Sequence, residues 1–544
     1  MSEFDKFVDE VMEFFWQSSP YGATFAGIHK YDHELDQMSY HYLEEVNKKT
    51  KTYIRRLNQW NKNKLSADEY IDWQLLTNAL ESGVKTYEDI RYWQKDPSSY
   101  VTLCLYSLFI LVIRDFAPIE ERARSFLSRL KQVPRLLNEA RANLRDSPAV
   151  FTRLGIEVIE GGRTFFQEMV PQLGTAAPLL RAELEKAARE AADAFDDYGR
   201  FLKDEHLVRS TGDFAIGREL FNYKLAVDHM LPYKADEVLT IGQEAKTATE
   251  QEMALVSRAI DKSKPWWEVV EDVKLHYPKA EELLSTYKRE MERARDFVRA
   301  KDLVTIPPGE ELAVIPTPAF DRPFLPYAAY MPPAPFEDKQ KGHFYVTPVE
   351  EHFSAEQQKE MLMGHPIHGI PVIALHEAYP GHHLQLVHAN RAERKLRRLL
   401  GTSVFAEGWA LYCEEMMYDA GFYSDPRTKL LKLKDQLWRA CRVIIDVGLH
   451  TKDMKFEEAV NLLVNDAMLE RVHAEKEVTR YTFTPTQPLS YLVGKKQILE
   501  LRKDYEEKQG KNFCLKEFHD KLLSFGTIPV VLIRKALGLA KSSC

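Results

Sequence analysis

The chain has 544 residues, 29% of them charged, a net charge of −8 and a pI near 6.1. That length exceeds one simple core and predicts two to four domains, or one large two-lobed helical enzyme with room for a deep cleft. The acidic balance argues against a counterion-releasing grip on nucleic acid and leaves small-molecule, peptide or protein partners.

The opening "MSEFDKFVDEVMEFFWQ" is acidic and amphipathic, without the basic region and long apolar run of a signal peptide. From there to about residue 300, leucines and alanines recur at three- and four-residue spacings, as in "ERARSFLSRLKQVPRLLNEARANL", which predicts long amphipathic helices. The longest apolar run, "YVTLCLYSLFILVI" at 100–113, is too short to span a bilayer and reads as a buried helix. Five scattered cysteines with no CxxC pair fit a reducing compartment, so a cytoplasmic protein with no membrane partner is expected. Residues 301–350 hold ten of the 27 prolines and short β-like runs such as "ELAVIP" and "GHFYVTP". They predict a small sheet whose edge can pair with an extended peptide. After 350 the helical pattern returns. The expected architecture is mainly α: an N-terminal helical region over 1–300, a Pro-rich β-containing segment over 301–350 beside the active-site cleft, and a helical catalytic region over 351–544.

Residues 365 to 388 contain six of the 17 histidines, in "HPIHGIPVIALHEAYPGHHLQLVH". Glu377 follows His376 directly, as in HExxH zinc hydrolases, where two histidines one turn apart bind zinc and the glutamate acts as general base. Position 380, where the second histidine should stand, is Pro380. In an unbroken helix His383 would share the face of His376 but lie roughly 10 Å along the axis, too far for one ion. Pro380 and Gly381 supply a way to deform the backbone. A two-residue bulge at Tyr379-Pro380 brings His382 to the second ligand position, with His383 as the alternative ligand.

"HEAYPGHHLQ", "EGWALYCEE", "LWRACRVIIDVGLH", "EVTRYTFTPTQPLSYLVG" and "FHDKLLSFGTIPVVLIRKAL" together resemble the bacterial domain of unknown function 885 family. That family is similar to zinc metallopeptidases with an expanded HExxH motif, and dipeptidyl peptidase III, with one extra residue in its motif, is a similar precedent. The resemblance implies a metallopeptidase-like helical architecture and a zinc cofactor. Alignment with thimet-oligopeptidase-like enzymes places Glu407 as third ligand after His376 and His382, with Glu414 and Glu415 as competitors. Downstream tyrosines or histidines stabilise the oxyanion in such peptidases, which nominates Tyr491 and Tyr481 beside the general base Glu377. Arg480, His383 and His473 are candidates for substrate binding, Arg480 by clamping a carboxylate, a role also open to Arg442. Arg442, Asp446 and His450 fall at i, i+4 and i+8, which predicts an internal ion-pair ladder; His343 has no assigned role.

The expected function is zinc-dependent hydrolysis of a peptide or small amide substrate. An amide-forming or non-peptide amide-cleaving metalloenzyme, and a metal-free scaffold binding a peptide or partner, are the alternatives. Glu377 weighs against the scaffold, because a binding module needs no base beside its first ligand.

Overall fold

A computed structural model describes residues 2–318, 321–322, 325, 327–350 and 353–539. Helices dominate, and their starts follow from local chemistry. Ser2 with Asp5 and Ser66 with Glu69 form reciprocal capping boxes, each satisfying two N–H groups that a helix start leaves unpaired. Asp96 caps the helix Pro97–Ile113 by accepting from the N–H groups of Ser98 and Ser99.

One compact unit comprises Met1–Phe214, Pro318–Pro323 and Ala334–Lys339. Its core includes the apolar helix Pro97–Ile113, on which Tyr100, Val101, Leu108 and Leu111 are fully buried, as its composition predicts. Arg129 is also fully buried there, and its guanidinium donates to the carbonyls of Ser107 and Glu34 and to the Thr24 hydroxyl, which offsets the cost of removing the charge from water. Among the described residues no single helix is long and apolar enough to cross a membrane.

The second unit comprises Ala215–Thr317, Phe324–Pro333 and Gln340–Cys544. Helices between 217 and 300 therefore group with the C-terminal part, and the break in the chain falls near 214 where the periodicity placed it near 300. The cause is packing: Val238 of the helix Ala235–Ile260 buries with Val443 and Val447 of Pro426–Thr451. A Cβ on Gly242 would come within 2.9 Å of Val443, so the glycine permits this close crossing. Amphipathicity announces a buried face without naming its partner.

The Pro-rich segment contains a three-stranded sheet, β1 (Glu310–Pro316), β2 (Ala328–Met331) and β3 (Gln340–Val346), in the order β1-β3-β2. β1 runs parallel and β2 antiparallel to the central β3. This segment is not a body of its own, since its strands fall in the second unit while 318–323 and 334–339 fall in the first. Cys104, Cys413 and Cys441 are buried free thiols and Cys514 is exposed; Cys544 lies outside the described residues.

Candidate metal centre

The helix Ile370–Glu377 stops at Glu377 and a new helix starts at His382. Between them the backbone makes two abnormal bonds: Gly381 N–H donates to Leu375 O at 3.0 Å, and Leu384 N–H to Ala378 O at 3.3 Å. Each spans six residues where an α-helix spans four, so two extra residues are looped out between the helices. The Tyr379-Pro380 peptide within the loop is cis. Gly381 is required by proximity, because a Cβ there would lie 1.8 Å from the carbonyl oxygen of His376. The Trp409 indole fixes the loop by donating to Pro380 O at 2.8 Å.

This excursion brings His376, Glu377 and His382 together, with one potential ligand atom from each within 4.8 Å of the others. The rings of His376 and His382 are nearly perpendicular, their centroids 4.9 Å apart. His376 Nδ1 is engaged by Glu414 Oε1 at 2.8 Å, which orients the ring and leaves Nε2 for the centre. Glu407 enters from the helix Ser403–Asp419, whose close crossing with Ser490–Gln509 depends on two glycines: a Cβ on Gly408 would lie 2.4 Å from Gly494 backbone. Gln487 Nε2 donates to Glu407 Oε1 at 3.2 Å. The other oxygen, Oε2, is buried and has no hydrogen bond; His382 Nε2 approaches it to 3.1 Å, outside hydrogen-bonding geometry. Glu415, by contrast, is held by Lys432 and Lys495.

The electrostatics separate the roles. Burial, with the neighbouring His382 and Arg439, holds His376 well below the usual imidazole range, so its lone pair is available. Burial also opposes charge on Glu407, but His382 and His376 hold that carboxylate down to about 2. His382 is raised, because Glu407 and Glu377 outweigh its burial. Glu377 is pushed up by burial to about 7. Two imidazoles, His376 and His382, and the ionised Glu407, whose Oε2 has no hydrogen bond, are a donor set that fits zinc.

A family model described as "Bacterial protein of unknown function (DUF885)" matches residues 20–537. The chain belongs to the DUF885 family. Among solved structures, a candidate lipoprotein of unknown function from Shewanella oneidensis is 27% identical, aligns over 99% of this chain and 100% of its own, and superposes with a TM-score of 0.81. A candidate lipoprotein from Colwellia psychrerythraea, 18% identical over 98% of each chain with a TM-score of 0.84, shares the fold. No curated protein matches the chain.

In this DUF885 chain a cavity of about 490 Å³ opens beside the cluster, lined by His376, Glu377, His382, Glu407, Tyr491 and Arg480 among others. Tyr491 stacks on His376 with ring centroids 6.2 Å apart. Three of the residues nominated from the sequence lie elsewhere. Tyr481 is fully buried, and its hydroxyl accepts from Arg442 Nε at 2.8 Å and Trp438 Nε1 at 3.2 Å, so it braces the arginine and does not line the cavity. His473 sits behind the cavity-lining Tyr327 and bonds its hydroxyl. His383 is buried away from the cavity, with Nε2 2.7 Å from Glu310 Oε2 of β1 and Nδ1 2.9 Å from the Tyr330 hydroxyl of β2. Of the ladder predicted on Pro426–Thr451 only the Asp446–His450 approach forms, at 4.0 Å: Arg442 instead pairs with Glu477 at 3.0 Å, and Asp446 also accepts from the Thr486 N–H. His343 is buried on β3 against Tyr345.

Sequence reasoning missed Arg439, Glu477 and Gln487. Arg439 lines the cavity three residues before Arg442, and Glu477 lies three before Arg480, so both share a helix face with a residue already singled out. Gln487 lies in a loop, where no periodicity could have marked it.

Proposed function

We propose that this protein is a zinc-dependent hydrolase that cleaves amide bonds in short peptides. The observation that carries this reading is the two-residue excursion, which gathers His376, Glu377 and His382 as an uninterrupted HExxH helix would. His376, His382 and Glu407 would hold the metal. Zinc, when bound, polarises the carbonyl and makes water a nucleophile near neutral pH.

Glu377 then takes a proton from the attacking water and returns it to the departing amine nitrogen. The oxygen joins the carbonyl carbon, the C–N bond breaks, and one water is consumed for each acid and amine released. Burial of this carboxyl, which raises its proton affinity, supports the role, since the base must hold the proton between the two steps. Tyr491, stacked on His376 at the cavity wall, is the donor for the carbonyl oxygen. β2 is an edge strand and lines the cavity through Ala328, Ala329 and Tyr330, which supports backbone pairing with an extended substrate.

The test is metal analysis of purified protein together with a library of short peptides read by mass spectrometry, with and without chelator. Stoichiometric zinc and chelator-sensitive cleavage, restored by zinc, are expected. Zinc-loaded protein that leaves every amide intact would exclude the hydrolase reading and favour a binding scaffold.

A further inference from the structure

The cavity wall carries guanidinium donors that its own carboxylates leave unused. Arg442 is 4% exposed; it gives Nε to the Tyr481 hydroxyl at 2.8 Å and Nη2 to Glu477 at 3.0 Å, while Nη1 is buried without an acceptor. Arg480 gives Nη2 to the same Glu477 oxygen at 2.7 Å and Nη1 to Gln487 at 3.1 Å. One carboxylate is therefore shared by two guanidinium groups. Arg439 donates Nη1 to the Asp435 carbonyl at 3.2 Å, and its buried Nε has no acceptor. All three arginines line the cavity that contains the His376 cluster. A buried N–H without an acceptor is destabilising unless an incoming oxygen completes it.

Position gives the chemistry of that oxygen. The Arg442 guanidinium lies 4.6 Å from the Tyr491 ring centroid and Arg439 lies 5.6 Å from it, and the same ring stacks on His376 at 6.2 Å. The arginines and the metal cluster thus adjoin the same tyrosine ring, a reach that one or two extended residues at roughly 3.5 Å each would cover. We infer that Arg442, flanked by Arg439 and Arg480, binds the free C-terminal carboxylate of a substrate that ends one or two residues beyond the scissile amide. This rests on the hydrolase reading above, and it makes the enzyme one that trims C-termini or splits very short peptides. Planar guanidinium groups match a carboxylate with paired N–H donors, a match that an amide cannot reproduce.

The test compares Ala-Ala-Ala with its C-terminal amide by titration calorimetry on zinc-loaded Glu377→Gln protein, so that binding is read without turnover. The free acid is expected to bind at least about tenfold more tightly, with the difference falling below about threefold in the Arg442→Gln background. Should Arg442→Gln fail to fold, Arg480→Gln at the more exposed position takes its place, and the acid-to-amide ratio itself needs no variant at the arginines. Equal affinity for acid and amide, or binding of neither, overturns the subsite. Wild-type enzyme that hydrolyses longer acids and amides with equal kcat/KM also overturns it while leaving the hydrolase standing. A strong acid preference in protein that cleaves nothing would keep the subsite and remove the hydrolase.

Discussion

Two clusters of histidine, carboxylate and tyrosine flank the start of the helix His382–Ala389, and they have opposite characters. On one side His383, Glu310, Tyr330 and Tyr379 form a closed set: both ring nitrogens of His383 are bonded, and Tyr379 donates to the same Glu310 oxygen that His383 contacts. On the other, His376, His382 and Glu407 form an open set, in which the outward atoms are tied to Glu414 and Gln487 and Glu407 Oε2 has no hydrogen bond. Both sets are built around histidine and glutamate. What distinguishes a candidate metal centre from a structural clasp is which lone pairs the surrounding protein leaves uncommitted.

Exchanging the two neighbouring histidines for alanine should give the largest contrast. His382→Ala is expected to abolish zinc binding, whereas His383→Ala should keep stoichiometric zinc and lose about 1–3 kcal/mol of stability, because Glu310 loses a buried partner. Metal analysis and denaturant melts read the two effects, and a reversal would make His383 the ligand. Within the open cluster, Glu377→Gln should retain zinc and reduce turnover by about 10²–10⁴-fold, since the amide keeps the shape and removes the base. Near-normal rates at full zinc occupancy would assign the base elsewhere. Tyr491→Phe is expected to lower kcat by about 10²-fold, and Tyr481→Phe to change kcat only a few-fold while costing about 1 kcal/mol of stability. Equal losses of kcat would show that Tyr481 reaches the reaction through Arg442. Glu414→Gln should weaken zinc affinity by about 10–100-fold through a poorly oriented His376. Unchanged affinity in a competition titration would reduce Glu414 to a packing residue.

Local motifs were legible to the extent that their geometry was local. A helix of 3.6 residues per turn cannot direct His376 and His382 to one point, and Pro380-Gly381 is the place where it can break, so the two-residue excursion could be read from ten residues of sequence. The apolar helix at 97–113 and the sheet in the Pro-rich segment were legible for the same reason, since burial on all sides and strand punctuation are written in neighbouring residues. The resemblance contributed Glu407, which no periodicity could have joined to His382 across 25 residues.

By itself, then, the sequence determined the mainly helical class, the break in the histidine helix and the candidate acid–base and metal-binding residues there. Only the tertiary structure decided which side chains face the cavity. Tyr481 and Tyr491 are ten residues apart, on the separate helices Arg471–Phe483 and Ser490–Gln509, and only the second lines the cavity. Arg442 pairs with Glu477 in preference to Asp446 on its own helix, because the 471–483 helix packs over it and Asp446 is taken by the Thr486 backbone. A side chain's partner is set by the nearest complementary group in space. Along one helix the sequence supplies that neighbour, but between helices it depends on crossings such as Gly408 against Gly494, which bring together residues far apart in the chain.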